Sequence, residues 1–320
     1  MSDLSILTIG DSTIDKIFSV DRQDAALIVN KRNQEKEICF NFGEKIPITN
    51  IKTEFGGSAL NTAVGFSKLG IKTHISTIVG NDEEGREILK FLNKKNISLN
   101  GSAVNGNTNQ AFIVLYDDER TIFSFHEKRD YSKLKVPESQ WIYFASAAKG
   151  SEVLVETIIK HAQNGTKIIF NPGSWELEKF DLFKPMLKHL EFIIINRDEA
   201  DLIAGRSSIQ SQIKKIQEMG VRNVVITANK NGAYVASENK QFHMDIFASE
   251  VIDPTGAGDA FSSGFVGAII YGKSIISATK WGMINSSGVV STIGATNGLL
   301  SAKQIERILT KTFSLSENKI

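Results

Sequence analysis

Apolar residues recur along this chain in two patterns. Short continuous apolar runs bounded by turn residues predict buried strands, and spacings of three and four residues predict amphipathic helices. The predicted strands are 4–9, 14–20, 73–79, 141–145, 167–171, 191–195 and 222–227, and the predicted helices are 58–69, 83–93, 152–163, 180–189 and 198–218. Strands that alternate with helices of this length form right-handed crossovers, which predicts an α/β fold with a mainly parallel central sheet flanked by helices.

Two regions depart from this alternation. Between Arg22 and Phe55 charges are dense, and two β-like pieces, Glu37–Phe42 and Ile48–Phe55, flank a turn. With a hairpin pattern at 111–125 and the strand near 15–20, residues 36–55 predict a small β-sheet that projects from the main body. The last third predicts three helices, 257–271, 274–292 and 301–312. We expect residues 1–320 to form a single domain with this appendage.

Composition narrows the class of protein. Of 320 residues, 41% are hydrophobic and 23% are charged, which is typical of a globular domain. The net charge of +1 provides no field that would attract nucleic acid or an anionic membrane. A single cysteine, Cys39, excludes an intrachain disulfide. The chain has no signal-peptide pattern and no apolar run near the roughly 20 residues of a membrane span. We therefore expect a cytoplasmic protein.

The most informative segment is Asp253-Pro254-Thr255-Gly256-Ala257-Gly258-Asp259, which directly precedes an apolar helix. Backbone N–H groups at such a helix start point towards one spot, where the helix dipole also favours an anion. Gly256, Ala257 and Gly258 are the candidate donors to a phosphoryl group in transfer, and Asp259 is the candidate base for an attacking hydroxyl. In the alternative interpretation, Asp259 only caps the helix and the glycines only form a turn.

A second glycine pair opens another helix, in Phe55-Gly56-Gly57-Ser58-Ala59-Leu60-Asn61. Paired glycines allow the backbone to approach a ligand closely, and Asn61 offers both a donor and an acceptor. Alternatively, Gly56-Gly57 is a hinge between the small sheet and the core, and Asn61 is a solvated helix residue. The two interpretations are compatible.

These two segments, in this order and at this spacing, resemble the two signatures of the PfkB (ribokinase-like) family of carbohydrate and nucleoside kinases. The resemblance covers nearly the whole chain. It implies a ribokinase-like fold and an ATP-dependent kinase with Asp259 as general base and the 256–259 amides as anion hole. It also implies that Asp15, in Gly10-Asp11-Ser12-Thr13-Ile14-Asp15, binds acceptor hydroxyls together with Gly56, Gly57, Ser58 and Asn61.

Nucleotide and metal sites are implied by the same resemblance. Asn196-Arg197-Asp198-Glu199 resembles the family's N-x-x-E motif, in which Glu199 would act through water on magnesium bound to ATP. Without that context, Asn196 and Glu199 favour a helix capping box. Thr227 and Gly232 resemble the strand and turn beside the phosphates, although Asn229 stands where the family usually has glycine. Asn285 begins a segment, 285–295, that resembles one wall of the adenine pocket. Potassium activation stays open.

The acceptor is only partly specified. Ser58 stands where family members that act on phosphorylated sugars tend to carry lysine, which favours an unphosphorylated sugar or a ribonucleoside. A specific nucleoside kinase is one alternative, and a non-catalytic sugar or nucleotide sensor on the same fold is another. Residues 126–129 stand where many relatives have an Arg-Gly-Ala turn, which affects the mouth of the substrate site. The small sheet at 15–20, 36–55 and 111–125 resembles the family's lid, through which many relatives form homodimers, so the resemblance implies a homodimer here.

Overall fold

Strands and helices alternate through most of the computed structural model, which describes residues 4–29, 36–100, 103–104, 106–116, 119–237, 240–311 and 317–319. The strands are β1 (Ser5–Ile9), β2 (Thr13–Ser19), β3 (Ala26–Val29), β4 (Lys36–Cys39), β5 (Thr49–Gly56), β6 (Lys72–Ser76), β7 (Val79–Gly80), β8 (Ser98–Leu99), β9 (Ala103–Val104), β10 (Gln110–Tyr116), β11 (Glu119–Phe125), β12 (Trp141–Phe144), β13 (Lys167–Phe170), β14 (Leu190–Asn196), β15 (Asn223–Thr227), β16 (Ala233–Ser237), β17 (Lys240–Met244) and β18 (Glu317–Lys319). The helices are α1 (Ser58–Lys68), α2 (Glu83–Lys94), α3 (Val155–Gln163), α4 (Ser174–Glu178), α5 (Phe180–Phe183), α6 (Arg197–Ala204), α7 (Ile209–Glu218), α8 (Ala257–Ile270), α9 (Ile275–Val290) and α10 (Ala302–Lys311).

The large sheet is mainly parallel. Within the described residues it has ten strands in the order β18-β17-β16-β15-β14-β13-β12-β1-β6-β8. The pairs from β15 to β8 are parallel, and β16, β17 and β18 extend the edge beside β15 in antiparallel order. The predicted α/β class with a mainly parallel sheet is thereby confirmed.

Both faces of this sheet are covered. Successive side chains of a strand point to opposite faces, and in β12 Tyr143 packs in one apolar cluster while Ile142 and Phe144 pack in the other. The first cluster includes Phe265 of α8 and Trp281 of α9, so these two helices lie on the face that Tyr143 occupies. A strand that is buried on both sides has to be apolar at nearly every position, which explains the continuous runs in the sequence.

The small sheet has four strands in the order β11-β10-β2-β5. Strands β2 and β5 pair antiparallel, and β10 pairs parallel with β2. Strands β2, β5, β10 and β11 of this sheet overlap the predicted pieces near 15–20, 48–55, 111–116 and 121–125. The piece at 36–39 differs, because β4 pairs with β3 in a separate hairpin that the sequence did not predict.

Two predicted helices differ from the structure, and one strand pair was not predicted. The single helix predicted over 198–218 was wrong, because Gly205 (φ 77°) ends α6 and the Ser208 side chain caps the start of α7. The helix predicted over 180–189 is one short α-helical turn followed by a 3-10 helix at Lys184–His189. The antiparallel pair β16–β17 was not predicted. No helix in the described part of the chain has both the length and the apolar character needed to cross a membrane.

Candidate active site

The candidate site lies at the carboxyl edge of the large sheet. Since neighbouring parallel strands end on the same side, Ser146, Asn171, Asn196 and Thr227, which end or follow β12 to β15, meet there. They line a cavity of about 610 Å³. Six of the predicted site residues lie in its lining: Ser58, Asn196, Glu199, Thr227, Gly258 and Asp259.

A tight turn at Gly256 starts helix α8. Gly256 is left-handed (φ 78°, ψ 2°), and a Cβ atom there would lie 2.6 Å from the Cα atom of Ala295. The Gly294 N–H in turn donates to the carboxylate of buried Asp253 at 2.9 Å. The turn thus contains the predicted donors Gly256, Ala257 and Gly258 and packs against the 294–295 segment. It lies at the positive end of the α8 helix dipole.

Asp259 lies in the first turn of α8 and is held from α1. The Asn61 side-chain amide donates to Asp259 Oδ2 at 2.8 Å, and the Ser58 hydroxyl is a second hydrogen-bond partner. Burial raises the pKa of Asp259 to about 6, against the lowering effect of these two hydrogen bonds. Asn61 is itself buried, and its Oδ1 has no hydrogen-bond partner among the described residues. That oxygen therefore lacks the hydrogen-bond partner that a buried polar atom usually has.

Asp15 extends from strand β2 of the small sheet towards the second glycine pair. A Cβ atom on Gly56 would lie 2.2 Å from the Asp15 carboxylate, and one on Gly57 (φ 91°) would lie 2.5 Å from the carbonyl oxygen of Asp11. Only glycine fits at either place. Burial raises the pKa of Asp15 to about 6, with Glu54 adding to the shift and the Thr13 hydroxyl opposing it.

Asn196 and Glu199 form the capping box that their sequence alone favours. The Glu199 N–H donates to Asn196 Oδ1 at 2.9 Å, and the Asn196 N–H donates to Glu199 Oε2 at 2.7 Å. Both residues also line the cavity. Burial raises the pKa of Glu199 to about 7, and the Asp259 charge adds to that shift. The Asp259 charge disfavours the ionised form of Glu199, so a cation bound nearby would stabilise that form.

Thr227 and Gly232 lie on the turn between β15 and β16. Thr227 lines the cavity, whereas Gly232 (φ 76°) does not and is required by packing, because a Cβ atom there would lie 2.0 Å from the carbonyl oxygen of Met244. Asn229 adopts φ 48°. Asparagine tolerates this left-handed conformation better than most residues, so the turn keeps a glycine-like shape without glycine.

Asn285 lies in the protein core, whereas the sequence predicts that it contacts ATP. Its side chain is fully buried, donates to the Ala260 carbonyl at 2.8 Å and accepts from the Leu300 N–H at 2.9 Å. It thereby ties α9 to the first turn of α8. The structure places Asn285 behind the Gly256 turn rather than in the cavity lining, which suggests that it supports the site from within the core.

Asn285→Ala is expected to lower the free energy of unfolding by about 1–3 kcal/mol, because it leaves the partly buried Leu300 N–H without its partner and removes one side-chain donor from the Ala260 carbonyl, which keeps the Ser263 hydroxyl. Urea unfolding measures this change. Asn93→Ala, at an exposed asparagine of α2, is the control and should change stability by less than about 0.5 kcal/mol. An unchanged stability together with a raised KM for ATP would instead indicate direct contact with the nucleotide.

Ser146 and Asn171 are among the polar residues of the cavity that sequence reasoning missed. Each follows a parallel strand, which is the available signal, but neither belongs to a glycine-rich motif. Their loops are joined by Glu176, a fully buried carboxyl group that accepts from the Gly173 N–H, the Ala147 N–H and the Ser151 hydroxyl. Burial raises the pKa of Glu176 to about 7.

Comparison with known proteins shows the family to which the chain belongs. The model of the pfkB family of carbohydrate kinases matches residues 19–302. The chain is 28% identical over 298 residues to an ATP-dependent 6-phosphofructokinase of Thermoanaerobacterium thermosaccharolyticum, covering 88% of this chain and 92% of that protein. It is 26% identical over 275 residues to a nucleoside kinase of Methanocaldococcus jannaschii, covering 82% and 88%. The structure of Arabidopsis thaliana ribokinase complexed with ribose and ATP superposes with a TM-score of 0.78 at 19% identity, covering 97% of this chain and 99% of that one.

Fold, site and relatives together define the class as a phosphotransferase with an alcohol group as acceptor. The chain belongs to the pfkB family of carbohydrate kinases.

Proposed function

We propose that this protein transfers the γ-phosphoryl group of ATP to a hydroxyl group of an unphosphorylated sugar or a ribonucleoside. The observation that carries the proposal is the position of Asp259, which shares the cavity with Ser58, Glu199 and Thr227 and follows directly on the Gly256 turn. A base beside an anion-binding helix start is the arrangement that proton abstraction and phosphoryl transfer both need.

The residues have separate tasks in this proposal. Asp15 and the buried Oδ1 of Asn61 hold hydroxyl groups of the acceptor, because among the described residues Asp15 has one side-chain donor, the Thr13 hydroxyl, and Asn61 Oδ1 has no donor. Asp259, oriented by Asn61 and Ser58, takes the proton of the attacking hydroxyl.

The backbone N–H groups of Gly256, Ala257 and Gly258 stabilise the charge on the phosphoryl oxygens. Thr227 and Asn196, which also line the cavity, would lie beside the polyphosphate of ATP.

Magnesium fits the oxygen donors of the cavity. Among the described residues, no group of three or more His, Cys, Asp or Glu side chains is arranged to hold a metal ion directly. Glu199 and Asn196 offer oxygen atoms only, the donor type that magnesium prefers, and Glu199 would hold the ion through water while the phosphates supply the direct ligands. The ion would supply charge neutralisation on the phosphates.

Potassium activation remains a prediction from the family resemblance. The segment before α8 offers buried oxygen atoms that suit such an ion, namely the Asp253 carboxylate and Thr255 Oγ1, which has no hydrogen-bond partner among the described residues. Comparing turnover in potassium and in a tetraalkylammonium salt of equal ionic strength tests it.

The choice of acceptor rests on Ser58. A serine at this position offers no charge to a substrate phosphate, which supports a sugar or nucleoside without one. One relative is named a 6-phosphofructokinase and another a nucleoside kinase, so the family itself includes both kinds of acceptor. The deciding assay measures ADP release from ATP–Mg²⁺ with ribose, fructose, fructose 6-phosphate, adenosine, inosine and cytidine. Turnover with fructose 6-phosphate alone would contradict the unphosphorylated acceptor, and binding without turnover would support a sensor.

We also propose that the small sheet is a lid that closes over the acceptor and through which two copies of the chain associate. On the face opposite Asp15, the side chains of Phe112, Phe123 and Phe125 are 38%, 56% and 42% exposed. A contiguous apolar surface on a lid strand typically marks an interface. A closed lid would exclude water from the reacting groups.

Phe123→Glu is expected to convert a dimer into a monomer, because two charges would be buried at the centre of that apolar face. Light scattering during size-exclusion chromatography measures the mass. Leu182→Glu, at an apolar residue of α5 that is 49% exposed, is the control and should leave the mass unchanged. A wild-type monomer, or a dimer that survives Phe123→Glu, would contradict association through this face.

A further inference from the structure

His126 is a residue of the lid base that the proposed mechanism does not use. It follows the last residue of β11, next to the start of β10. The strand registers pair Thr13 with Gly56, Ile14 with Gln110, and Gln110 with Phe125. Continuing these registers by one residue places Gly56, Thr13, Asn109 and His126 in one row across the base of the four strands. The glycine pair and His126 therefore lie at opposite ends of the same row.

Strand alternation also fixes the face on which His126 lies. Residues two apart along a strand share a face, so Thr13 lies on the same face as Asp15. Asn109 and His126, which are opposite Thr13 in the row, share that face. The contact between Asn109 Nδ2 and His126 Nδ1, at 3.4 Å, agrees with this assignment. His126 therefore lies on the face that carries the candidate hydroxyl-binding carboxylate.

Asp11 fixes the orientation of the imidazole ring. Its Oδ2 lies 3.0 Å from His126 Nδ1, and the same carboxylate accepts from Asn109 Nδ2 at 3.1 Å and from the Tyr131 hydroxyl at 3.4 Å. Since a carboxylate can only accept, Nδ1 carries the proton and Nε2 is the ring nitrogen left for another partner. The His126 side chain is 44% exposed, whereas the Asp11 side chain is 7% exposed. The pair is thus anchored on its Asp11 side and open on the other.

Asp11 belongs to the same short segment as Asp15 and touches the glycine pair. A Cβ atom on Gly57 would lie 2.5 Å from the Asp11 carbonyl oxygen, so the two backbones are in direct contact. The Asn109 carbonyl in turn accepts from the Ile14 N–H at 3.1 Å. The imidazole is therefore held by the elements that form the acceptor site, and its position is as well defined as theirs.

We propose that His126 is a specificity residue of this kinase, whose Nε2 hydrogen-bonds a polar group of the acceptor, and that Asp11 is the positioning residue that holds the ring. The proposal rests on the proposed kinase function and names a contact beyond it. The Asp11 carboxylate also raises the pKa of His126, which strengthens the bond that fixes the ring. Pairing with Asp11 alone does not require the exposed Nε2 side of the His126 ring. Asn109 and Tyr131 already donate to the Asp11 carboxylate.

Binding rather than turnover provides the test. Isothermal titration with the six compounds named above, in the presence of a non-hydrolysable ATP analogue and Mg²⁺, compares wild type with His126→Ala and His126→Gln. His126→Ala is expected to weaken the bound acceptor by about tenfold, the effect of losing one good hydrogen bond, and His126→Gln, which keeps a polar group, by less. The affinity for the ATP analogue should change by less than about twofold.

His189→Gln is the matched control. His189 precedes β14 at the amino end of the strand, whereas Asn196 at the carboxyl end lines the cavity, so this histidine lies on the opposite edge of the sheet. The His189→Gln variant should bind the acceptor with the affinity of the wild type. If His126→Ala binds the acceptor as tightly as wild type, or weakens the ATP analogue equally, the inference is wrong while the kinase proposal stands. If wild type binds none of the six compounds, the proposed function fails and this inference falls with it.

Discussion

Asp259→Asn is expected to lower kcat by about a thousandfold, which is within the usual contribution of a general base. The asparagine keeps the shape of the side chain and can still accept from Asn61, which donates to Asp259 Oδ2 at 2.8 Å. It cannot take the proton of the attacking hydroxyl. Steady-state ADP release with the acceptor that wild type turns over fastest measures the loss. KM for ATP should stay close to the wild-type value, because the substitution removes a group that acts in the transition state.

Stability and pH separate this effect from misfolding. The pKa of Asp259 is raised to about 6 because the fold disfavours its ionised form, so a neutral asparagine should leave the melting temperature at pH 7.5 unchanged or raise it. For the same reason, wild-type kcat/KM should fall as the pH falls through about 6. Asp181→Asn, at a surface carboxylate of α5 that is 87% exposed, is the control for activity. A kcat for Asp259→Asn within tenfold of wild type would contradict the role of Asp259.

Gly256→Ala is expected to lower kcat by about a hundredfold, which is the loss caused by misplacing one anion-hole donor. A Cβ atom at residue 256 would lie 2.6 Å from the Cα atom and 2.8 Å from the carbonyl oxygen of Ala295, so the turn has to move as a unit. The N–H groups that follow it would then no longer converge on the phosphoryl group. Steady-state kinetics and thermal unfolding together measure the change.

Gly165→Ala separates steric displacement from backbone strain. Gly165 also has a positive φ of 94°, but a Cβ atom there meets nothing within 4 Å. Its substitution should cost only about 1–2 kcal/mol of strain and leave kcat unchanged. Equal effects of the two substitutions on kcat would mean that the Gly256 turn has no special role in transfer.

Much of this architecture could be predicted from the sequence because its signals are local. A parallel strand that is buried on both faces shows itself as one apolar run, as β14 does. The Gly256 turn could also be predicted from the sequence, since its candidate donors and its candidate base, Asp259, are adjacent in the chain. The strand β3 was missed because Leu27, Ile28 and Val29 form a short apolar run inside a charged region. The pair β16–β17 was missed because it lacks the glycine that usually marks a tight hairpin.

Long-range pairings explain what the sequence could not provide. Asn61 was predicted to bind the acceptor, and nothing local indicates that its amide reaches Asp259, which is 198 residues away along the chain. Asn285 was predicted at the adenine pocket, yet its burial depends on how α9 packs against α8. The contact between Asp11 and His126 depends on the register of the small sheet in the same way. These relations arise only when distant elements pack.

The carboxyl groups of Asp15, Glu176, Glu199 and Asp259 share a property that sets stability against activity. The pKa of each is raised by burial, to about 6 for the two aspartates and about 7 for the two glutamates. The folded state therefore binds these protons more tightly than the unfolded chain, and the stability that these four groups contribute is lost as the pH rises from near 4 towards 7. A general base, however, has to be ionised to act. These four buried groups therefore contribute least to stability in the pH range where Asp259 can act as a base, and the binding of substrate and cation would recover part of that free energy.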